Sequence, residues 1–391
     1  MAPTDASSLK NLDTIIQSSV SLLQQLQVAL AEIHRSPTAP PAPSSPSTSN
    51  SHLRSSTAID ALALAKDSAS LIRAHSTKLS LLIVNEPFTP NAIITVVRDL
   101  AGGPIPGLAA SLEECRADKY TAVIRRELAW RCRSVLVELT SLLQKVPQNG
   151  QALSSAGEGF GSDGKGSIAL TGVLWSACDQ VIELTNLGVA GFFANKVGEW
   201  RDTLKDVMEE LKEWGEEEAE SDDDDGEDED EDDAVNALAD ELRDSHISTQ
   251  DMLDDLMSHR TIPKSDPDAI RPRLETSLKR LRLVTLLYQA IIKRRIKKLP
   301  SIPPSADSSQ SVAEIPQRLD EAAGVLRVLP DRFGDLACAF YELQSDEIDS
   351  LIDQCFLDAF AASELLAQAW GGGRDEFTDW AEKFQAQIKQ E

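Results

Sequence analysis

The feature that most constrains the fold is the spacing of apolar residues, which recur every three or four positions almost throughout the 391 residues. The first such series is interrupted by one polar residue, Ser19, and consists of Leu9, Leu12, Ile16, Leu23, Leu26, Leu30 and Ile33. This spacing places the side chains on one face of an α-helix, which must pack on other helices. No segment shows the strict alternation that is typical of a half-buried strand. The sequence therefore predicts an all-α protein made of helical bundles.

A glycine- and serine-rich segment at residues 148–167 marks the predicted boundary between two up-and-down bundles. Such a composition favours a flexible linker. The predicted N-terminal bundle covers residues 1–147, and the predicted C-terminal bundle covers residues 168–391. A proline- and serine-rich segment at residues 36–56 is predicted to be disordered, because its prolines remove backbone donors and its serines favour solvation.

Local signals mark where several helices begin and end. Thr89 before Pro90 is typical of an N-cap followed by proline at the first helical position. The short helix that starts there is expected to stop at the Gly-Gly-Pro turn of residues 102–104. Beyond this turn, the apolar spacing from Tyr120 to Val146 predicts one long helix.

An acidic run at residues 216–233 holds fifteen carboxylates in eighteen positions and no basic residue. Like charges at this density repel each other, which predicts a disordered, solvated loop. Contact with histones or other basic proteins is a second interpretation. A calcium loop is a weaker one, because the run lacks a carboxylate at the first ligand position and a glutamate at the last. Ser221, followed by four aspartates, is a candidate phosphosite for an acidophilic kinase.

The formal net charge of the chain is −26, which disfavours direct binding to nucleic acid because phosphate backbones are repelled. The N-terminus lacks a basic region followed by an apolar one, as a secretion signal would have. No stretch is expected to reach the roughly 18 uncharged apolar residues that span a bilayer. We therefore expect a soluble, intracellular protein that does not bind membranes.

No group of residues favours catalysis, a metal or a cofactor. The five histidines form no pair at helical spacing, so a zinc site is not expected. Residues 159–164 match GxGxxG, but no strand precedes them as a phosphate-binding loop requires. The five cysteines are widely spaced, without any CxxC, which predicts small buried side chains in a reducing compartment. We therefore predict a protein that is not an enzyme.

Two groups of residues are candidates for contact with partners. The first is a candidate nuclear import signal that consists of Lys293, Arg294, Arg295, Lys297 and Lys298. Its alternative is a structural role, because basic residues at a helix C-terminus complement the helix dipole. The second is an aromatic stripe of Phe377, Trp380 and Phe384 on the last predicted helix. It is a candidate docking or autoinhibitory element, and its alternative is packing within its own domain.

Four stretches of the sequence resemble the cyclin-D-binding (GCIP-like) protein family, in a fungal-type version. They are residues Lys119–Leu143, Thr171–Leu184, Trp200–Trp214 and Ser258–Pro300. The resemblance implies an all-helical, two-part protein of the nucleus and cytoplasm that regulates cell-cycle progression. It also implies partners of the D-type cyclin and helix-loop-helix classes.

The leading hypothesis is a non-enzymatic regulator of cell-cycle progression or transcription that accepts the amphipathic helix of a protein partner. One alternative is a helical scaffold of the vinculin or catenin type, since a bundle fold does not fix function. Another is a chaperone of histones or other basic proteins that uses the acidic run.

Overall fold

The computed structural model describes residues 6–39, 60–153, 167–217, 261–303 and 313–389. Within these ranges the regular structure is helical and contains no strand. The predicted all-α class is thus confirmed. The helices are α1 (Ala6–Arg35), α2 (Ala61–Val84), α3 (Pro90–Gly102), α4 (Pro104–Glu114), α5 (Ala117–Tyr120), α6 (Ala122–Leu143), α7 (Ser167–Glu216), α8 (Ile270–Arg294), α9 (Ile315–Tyr341), α10 (Ser345–Leu365) and α11 (Glu376–Ile388), with a short 3-10 turn at Ile296–Lys298.

The chain divides into two compact units. Unit 1 comprises Met1–Asn195, Ile296–Glu321 and Trp370–Gly372, and unit 2 comprises Lys196–Arg295, Ala322–Ala369 and Gly373–Glu391. This division differs from the predicted domains, because α7 contributes residues to both units. The backbone of α7 leaves helical geometry at Gly188, whose φ of 61° suits a residue without a Cβ.

In unit 1, α1 packs on α6 and α3, while α2 packs on α4 and α3. The apolar series of α1 points inward as predicted, with Leu12, Ile16, Leu23 and Leu30 buried. Helices α2 and α4 approach closely at Gly107, where an added Cβ would lie 2.6 Å from the Ser68 hydroxyl oxygen. A glycine at this position therefore permits the contact between the two helices.

Helix α6 starts later than the predicted long helix, because the backbone turns sharply at Thr121. Thr121 has a φ of 109°, a strained value for a β-branched residue, and its hydroxyl accepts a hydrogen bond from the Ile124 amide. The amides of Ala122 and Val123 donate to the carboxylate of Asp320 at 2.6 and 3.1 Å. Asp320 thus satisfies two of the free amides that begin α6.

In unit 2, α8 packs on α10 and α11, and α10 packs on α11. Tyr288 is fully buried on α8, and its hydroxyl donates to the Leu326 carbonyl at 2.7 Å. The end of α7 also lies against α8, since a Cβ at Gly215 would clash with a methyl group of Leu274. These contacts build the core of unit 2 around α8.

Two details between α2 and α4 differ from the sequence-based expectation. Pro90 does begin α3, but the Thr89 hydroxyl donates to the Pro87 carbonyl and makes no cap hydrogen bond. In addition, Pro90–Glu114 is long and apolar enough, by length and composition alone, to cross a membrane. This stretch is two helices, α3 and α4, which meet at Gly103 and pack on α1 and α2. Its apolar residues therefore contribute to the core of unit 1.

Candidate protein-interaction surface

Trp130 is a large apolar side chain that the fold of unit 1 leaves in contact with solvent. Its exposed fraction is 52%, although its neighbours Leu128, Ala129 and Cys132 on α6 are completely buried. Exposing a tryptophan is unfavourable in a free protein, and tryptophan is enriched at the energetic centres of interfaces. Trp130 therefore marks a candidate binding surface.

The side chains around Trp130 form a continuous face of α6. They share one side of the helix because they follow it at spacings of three and four residues. We call this face the α6 surface, and it consists of Arg126, Trp130, Arg133, Ser134 and Val137. Trp130 and Val137 lie two helical turns apart, which is the spacing at which a second helix presents its own apolar residues.

Helix α1 forms one side of the α6 surface. The imidazole of His34 lies 5.6 Å from the indole ring of Trp130, and its Nδ1 donates to the Arg126 carbonyl at 3.1 Å. Further along α1, the amide nitrogen of Gln27 donates to the Leu136 carbonyl and to the Thr140 hydroxyl. The next residue, Val28, is 72% exposed. Helix α1 thus holds α6 by polar contacts.

The first part of α7 forms the other side of the α6 surface. Arg131 donates to the Glu127 carboxylate and to the Gln180 carbonyl of α7, each at 2.7 Å. Val173 lies seven residues before Gln180, on the same side of α7, and is 47% exposed. Arg131 therefore fixes the distance between α6 and α7, and an exposed apolar residue lies on the α7 side as well.

The α6 surface combines apolar contact area with positive charge. Arg126 is exposed, and Arg133 is half-buried with its Nε enclosed and without a hydrogen-bond partner among the described residues. Arginine and tryptophan are the residue types most enriched at the centres of protein interfaces. Since three helices hold the surface in place, a partner would lose little free energy to ordering it.

Comparison with known proteins identifies the part of the chain that contains α6 and α7. Residues 65–217 match the family model described as Grap2 and cyclin-D-interacting, N-terminal. This part of the chain is therefore similar to the N-terminal domain of the Grap2 and cyclin-D-interacting family. An uncharacterized protein of the fission yeast Schizosaccharomyces pombe is 28% identical over 155 residues, which are 40% of this chain and 44% of that protein. The match thus spans less than half of the relative's length, and no solved structure matches.

The family match confirms the resemblance found in the sequence, including its fungal character. The matched residues 65–217 include the whole α6 surface and the first part of α7, but not α1. Helices α8 to α11 lie beyond the matched residues. The aromatic stripe and the basic cluster are therefore features outside this domain.

The aromatic stripe of α11 is mostly buried within unit 2. Phe377 and Phe384 have almost no exposed surface, and Trp380 lies between their rings with centroid distances of 5.8 and 5.6 Å. Only Trp380 is partly exposed. Packing within the same unit thus accounts for Phe377 and Phe384, because their rings are inaccessible to a partner while α11 is in place.

The five residues of the candidate import signal differ in their exposure to solvent. Arg295 is 1% exposed and donates to the carbonyls of Leu366 and Ala367 at 2.7 and 2.8 Å, and to the Asp375 carboxylate at 2.5 Å. Its role in the folded chain is structural, which corrects its place in a five-residue signal. The exposed members are Lys293, Lys297 and Lys298, while Arg294 is half-buried beside Glu376.

Several other predicted features lie outside the described residues. They are Ser221, most of the acidic run at 216–233, the GxGxxG match at 159–164 and residues 40–56 of the proline- and serine-rich segment. Within the described ranges, no group of histidine, cysteine and carboxylate side chains is arranged to hold a metal ion.

The cysteines agree with the expectation of buried side chains, with one exception. Cys115, Cys132, Cys178 and Cys355 are buried, whereas Cys338 is exposed. Burial raises the pKa of the Cys115 thiol to about 12, so this group stays protonated and unreactive. The same cause raises the pKa of Cys178 and of Cys355 to about 12.

Sequence reasoning missed Trp130, although a signal was present. The apolar series of α6 runs through Ile124, Leu128, Cys132 and Val135. Trp130 is half a turn away from this series, which is unusual for so large an apolar residue. An aromatic residue off the apolar stripe of a helix is thus the pattern that could have identified the surface.

Proposed function

We propose that this protein is a non-catalytic interaction protein that binds an amphipathic helix of a protein partner on the α6 surface. The observation that carries the proposal is the exposure of Trp130 on α6, a helix within the residues that match the family model. The description of the family by its interaction partners supports the same role. We propose regulation of cell-cycle progression or transcription as the biological setting.

The chemistry of the α6 surface defines the partner helix. Apolar residues two turns apart on that helix would contact Trp130 and Val137. An acidic residue beside them would pair with Arg126, which is exposed. A helix of a D-type cyclin or of a helix-loop-helix protein is the partner class that we propose.

Binding at this surface would act by occlusion. A helix that lies along α6, between α1 and α7, buries its own apolar side. A cyclin or a helix-loop-helix protein needs such apolar sides for kinase activation or for dimerisation. The complex would therefore hold the partner in an inactive state without any covalent chemistry.

The direct test is a binding measurement between the purified full-length chain and a purified D-type cyclin. We expect Trp130→Glu to weaken binding by at least about thirtyfold, because centres of interfaces contribute roughly 2 kcal/mol or more per large residue. Leu81→Glu is the matched control, because Leu81 is also exposed on a helix of the same domain. We expect Leu81→Glu to leave the affinity unchanged.

Three outcomes decide the test. Loss of binding in Trp130→Glu alone supports the proposal. Equal binding in the wild type and in Trp130→Glu places the contact elsewhere and contradicts the role of the α6 surface. If the wild type binds neither a D-type cyclin nor any of a panel of helix-loop-helix proteins, the proposed partner class is wrong.

We also propose that the protein enters the nucleus as well as the cytoplasm. The exposed Lys293, Lys297 and Lys298, with Arg294, support this proposal, although Arg295 is not available to a receptor in the folded chain. Replacing these four residues with alanine while keeping Arg295 should reduce the nuclear fraction of a tagged chain. An unchanged nuclear fraction would contradict the role of these residues.

A further inference from the structure

A second surface lies on α8 in unit 2, outside the matched family domain. Five residues of this helix point away from the core at spacings of three and four, and we call them the α8 basic face: Lys279, Arg282, Leu286, Gln289 and Lys293. The opposite side of the same helix is buried, as Leu281, Val284 and Tyr288 show. The face therefore extends about 20 Å along the helix, at 1.5 Å per residue.

The cations of this face differ from two arginines of α8 that lie beside a carboxylate. Arg273 pairs with Asp349, and Arg294 lies beside Glu376. By contrast, Lys279, Arg282 and Lys293 make no ion pair with the described residues. The chain has 64 acidic residues for 38 basic ones, so a continuous row of such cations is an exception on this protein.

Leu286 indicates what kind of anion fits this face. It lies in the middle of the row, between Arg282 and Lys293, and is 44% exposed. A phosphate backbone offers no apolar group to contact it, so a nucleic acid bound to these cations would leave Leu286 in water. An acidic helix with apolar residues among its carboxylates matches both the cations and the leucine.

The geometry points to the α8 basic face as a docking site for an acidic amphipathic helix of a partner protein. Carboxylates of that helix pair with Lys279, Arg282 and Lys293, and one of its apolar side chains covers Leu286. The site is separate from the α6 surface, because it lies in the other compact unit. Its failure would leave the proposed function of the cyclin-D-interacting domain untouched.

The test uses the full-length chain and a labelled helical peptide, about 20 residues long, of glutamate and alanine with one leucine per heptad. We expect Lys279→Glu, Arg282→Glu and Lys293→Glu together to weaken binding at least about tenfold. The matched control changes Lys10, Lys66 and Lys78 to glutamate, because these lysines are also exposed and the net charge changes equally. Leu286→Ala should weaken binding about threefold, since it removes apolar contact area.

Binding that falls in the α8 variant and persists in the control supports the site. Equal loss in both variants would mean that net charge alone attracts the peptide, which overturns the proposal. Tighter binding of duplex DNA or of phosphatidylserine vesicles than of the peptide would overturn the partner class. So would peptide binding that strengthens on deletion of residues 218–233 in the wild type but not in the α8 variant, because the chain's own acidic segment would then be the occupant. Thermal unfolding at the wild-type temperature verifies that each variant is folded.

Discussion

Helices α6 and α11 both carry prominent aromatic residues, but the two units use them in opposite ways. On α6, Trp130 is half exposed, although the helix contacts α1 and α7 and buries its opposite side. On α11, Phe377 and Phe384 are buried under the rest of unit 2. The sequence shows three aromatic residues at helical spacing on α11 and one isolated tryptophan on α6.

The difference shows that an aromatic stripe at helical spacing is more often core than binding site, whereas an isolated aromatic residue away from the apolar stripe remains available to a partner. In unit 2, Arg295 fixes the stripe in place. Its guanidinium lies over the Phe377 ring at 4.4 Å and also pairs with Asp375, the N-cap of α11. Trp130 contacts the imidazole of His34, and among the described residues no guanidinium lies over its ring.

The largest expected effect is a difference in stability between a variant of α11 and a variant of α6. Phe377→Ala should destabilise the protein by about 4 kcal/mol, because it leaves a cavity in a fully buried site. Trp130→Ala should change the free energy of unfolding by less than about 1 kcal/mol, since much of its surface is already in water. Denaturant unfolding of the two variants measures both. Equal losses of unfolding free energy in the two variants would contradict the difference between α6 and α11.

Arg295 provides the next test. Arg295→Ala leaves the Asp375 carboxylate and two enclosed carbonyl oxygens without their donor, and we expect a loss of about 3 kcal/mol. Lys293→Ala, two residues earlier in the same basic cluster, should cost less than about 0.5 kcal/mol because its side chain is exposed. A similar small loss for both residues would mean that Arg295 is not structural.

The contact between Arg295 and Asp375 also makes the stability of unit 2 depend on pH. The hydrogen bond from Arg295 is the main reason why the pKa of Asp375 is lowered from 3.8 to about 2. A carboxyl whose folded-state pKa is depressed stabilises the fold at neutral pH, and this contribution of about 2 kcal/mol is lost as pH falls from about 4 to about 2. Asp375→Asn should remove this part of the acid sensitivity in unfolding curves recorded across that range. An unchanged acid profile would contradict the assignment.

The pKa of Asp320 in unit 1 is shifted in the opposite direction to that of Asp375. Burial raises the pKa of its carboxyl despite the two hydrogen bonds from the start of α6. A carboxyl with a raised folded-state pKa favours folding at low pH, and this contribution is lost as pH rises through the folded-state value. As pH falls, the stabilising contribution of Asp375 is lost, whereas that of Asp320 is gained.

The smallest expected effect concerns the α1 side of the α6 surface. Gln27→Ala removes the hydrogen bonds to the Leu136 carbonyl and the Thr140 hydroxyl, and we expect a loss of about 1 kcal/mol. Gln24→Ala is the control, because Gln24 is exposed one turn earlier on the same helix. Thermal unfolding of the pair measures the difference, and identical melting temperatures would show that Gln27 does not fasten α1 to α6.

The sequence predicted the helices well where burial follows a local repeat. The series of α1 and α8 were readable because an amphipathic helix records its buried face in residue spacing. The start of α6 was not readable, because the turn at Thr121 is supported by Asp320, which is distant in sequence. For the same reason, the burial of Arg295 could not be inferred: its partners lie at Leu366, Ala367 and Asp375.

The candidate site was harder to predict than the fold. The family resemblance was recognisable from residue order, but which face of the domain is exposed depends on how α1 and α7 flank α6. Aromatic spacing alone favoured α11. The exposed tryptophan became a candidate only once the packing around it was known, because exposure is a property of the assembled helices and not of the residue.

The most direct test of the account is site-specific photo-crosslinking in a complex with a D-type cyclin, with a photoreactive phenylalanine placed at Trp130 in one variant and at Trp380 in another. We predict that the group at position 130 crosslinks to the cyclin and that the group at position 380 reacts within its own chain. Crosslinks to the cyclin from position 380, with none from position 130, would contradict the assignment of the α6 surface as the binding site.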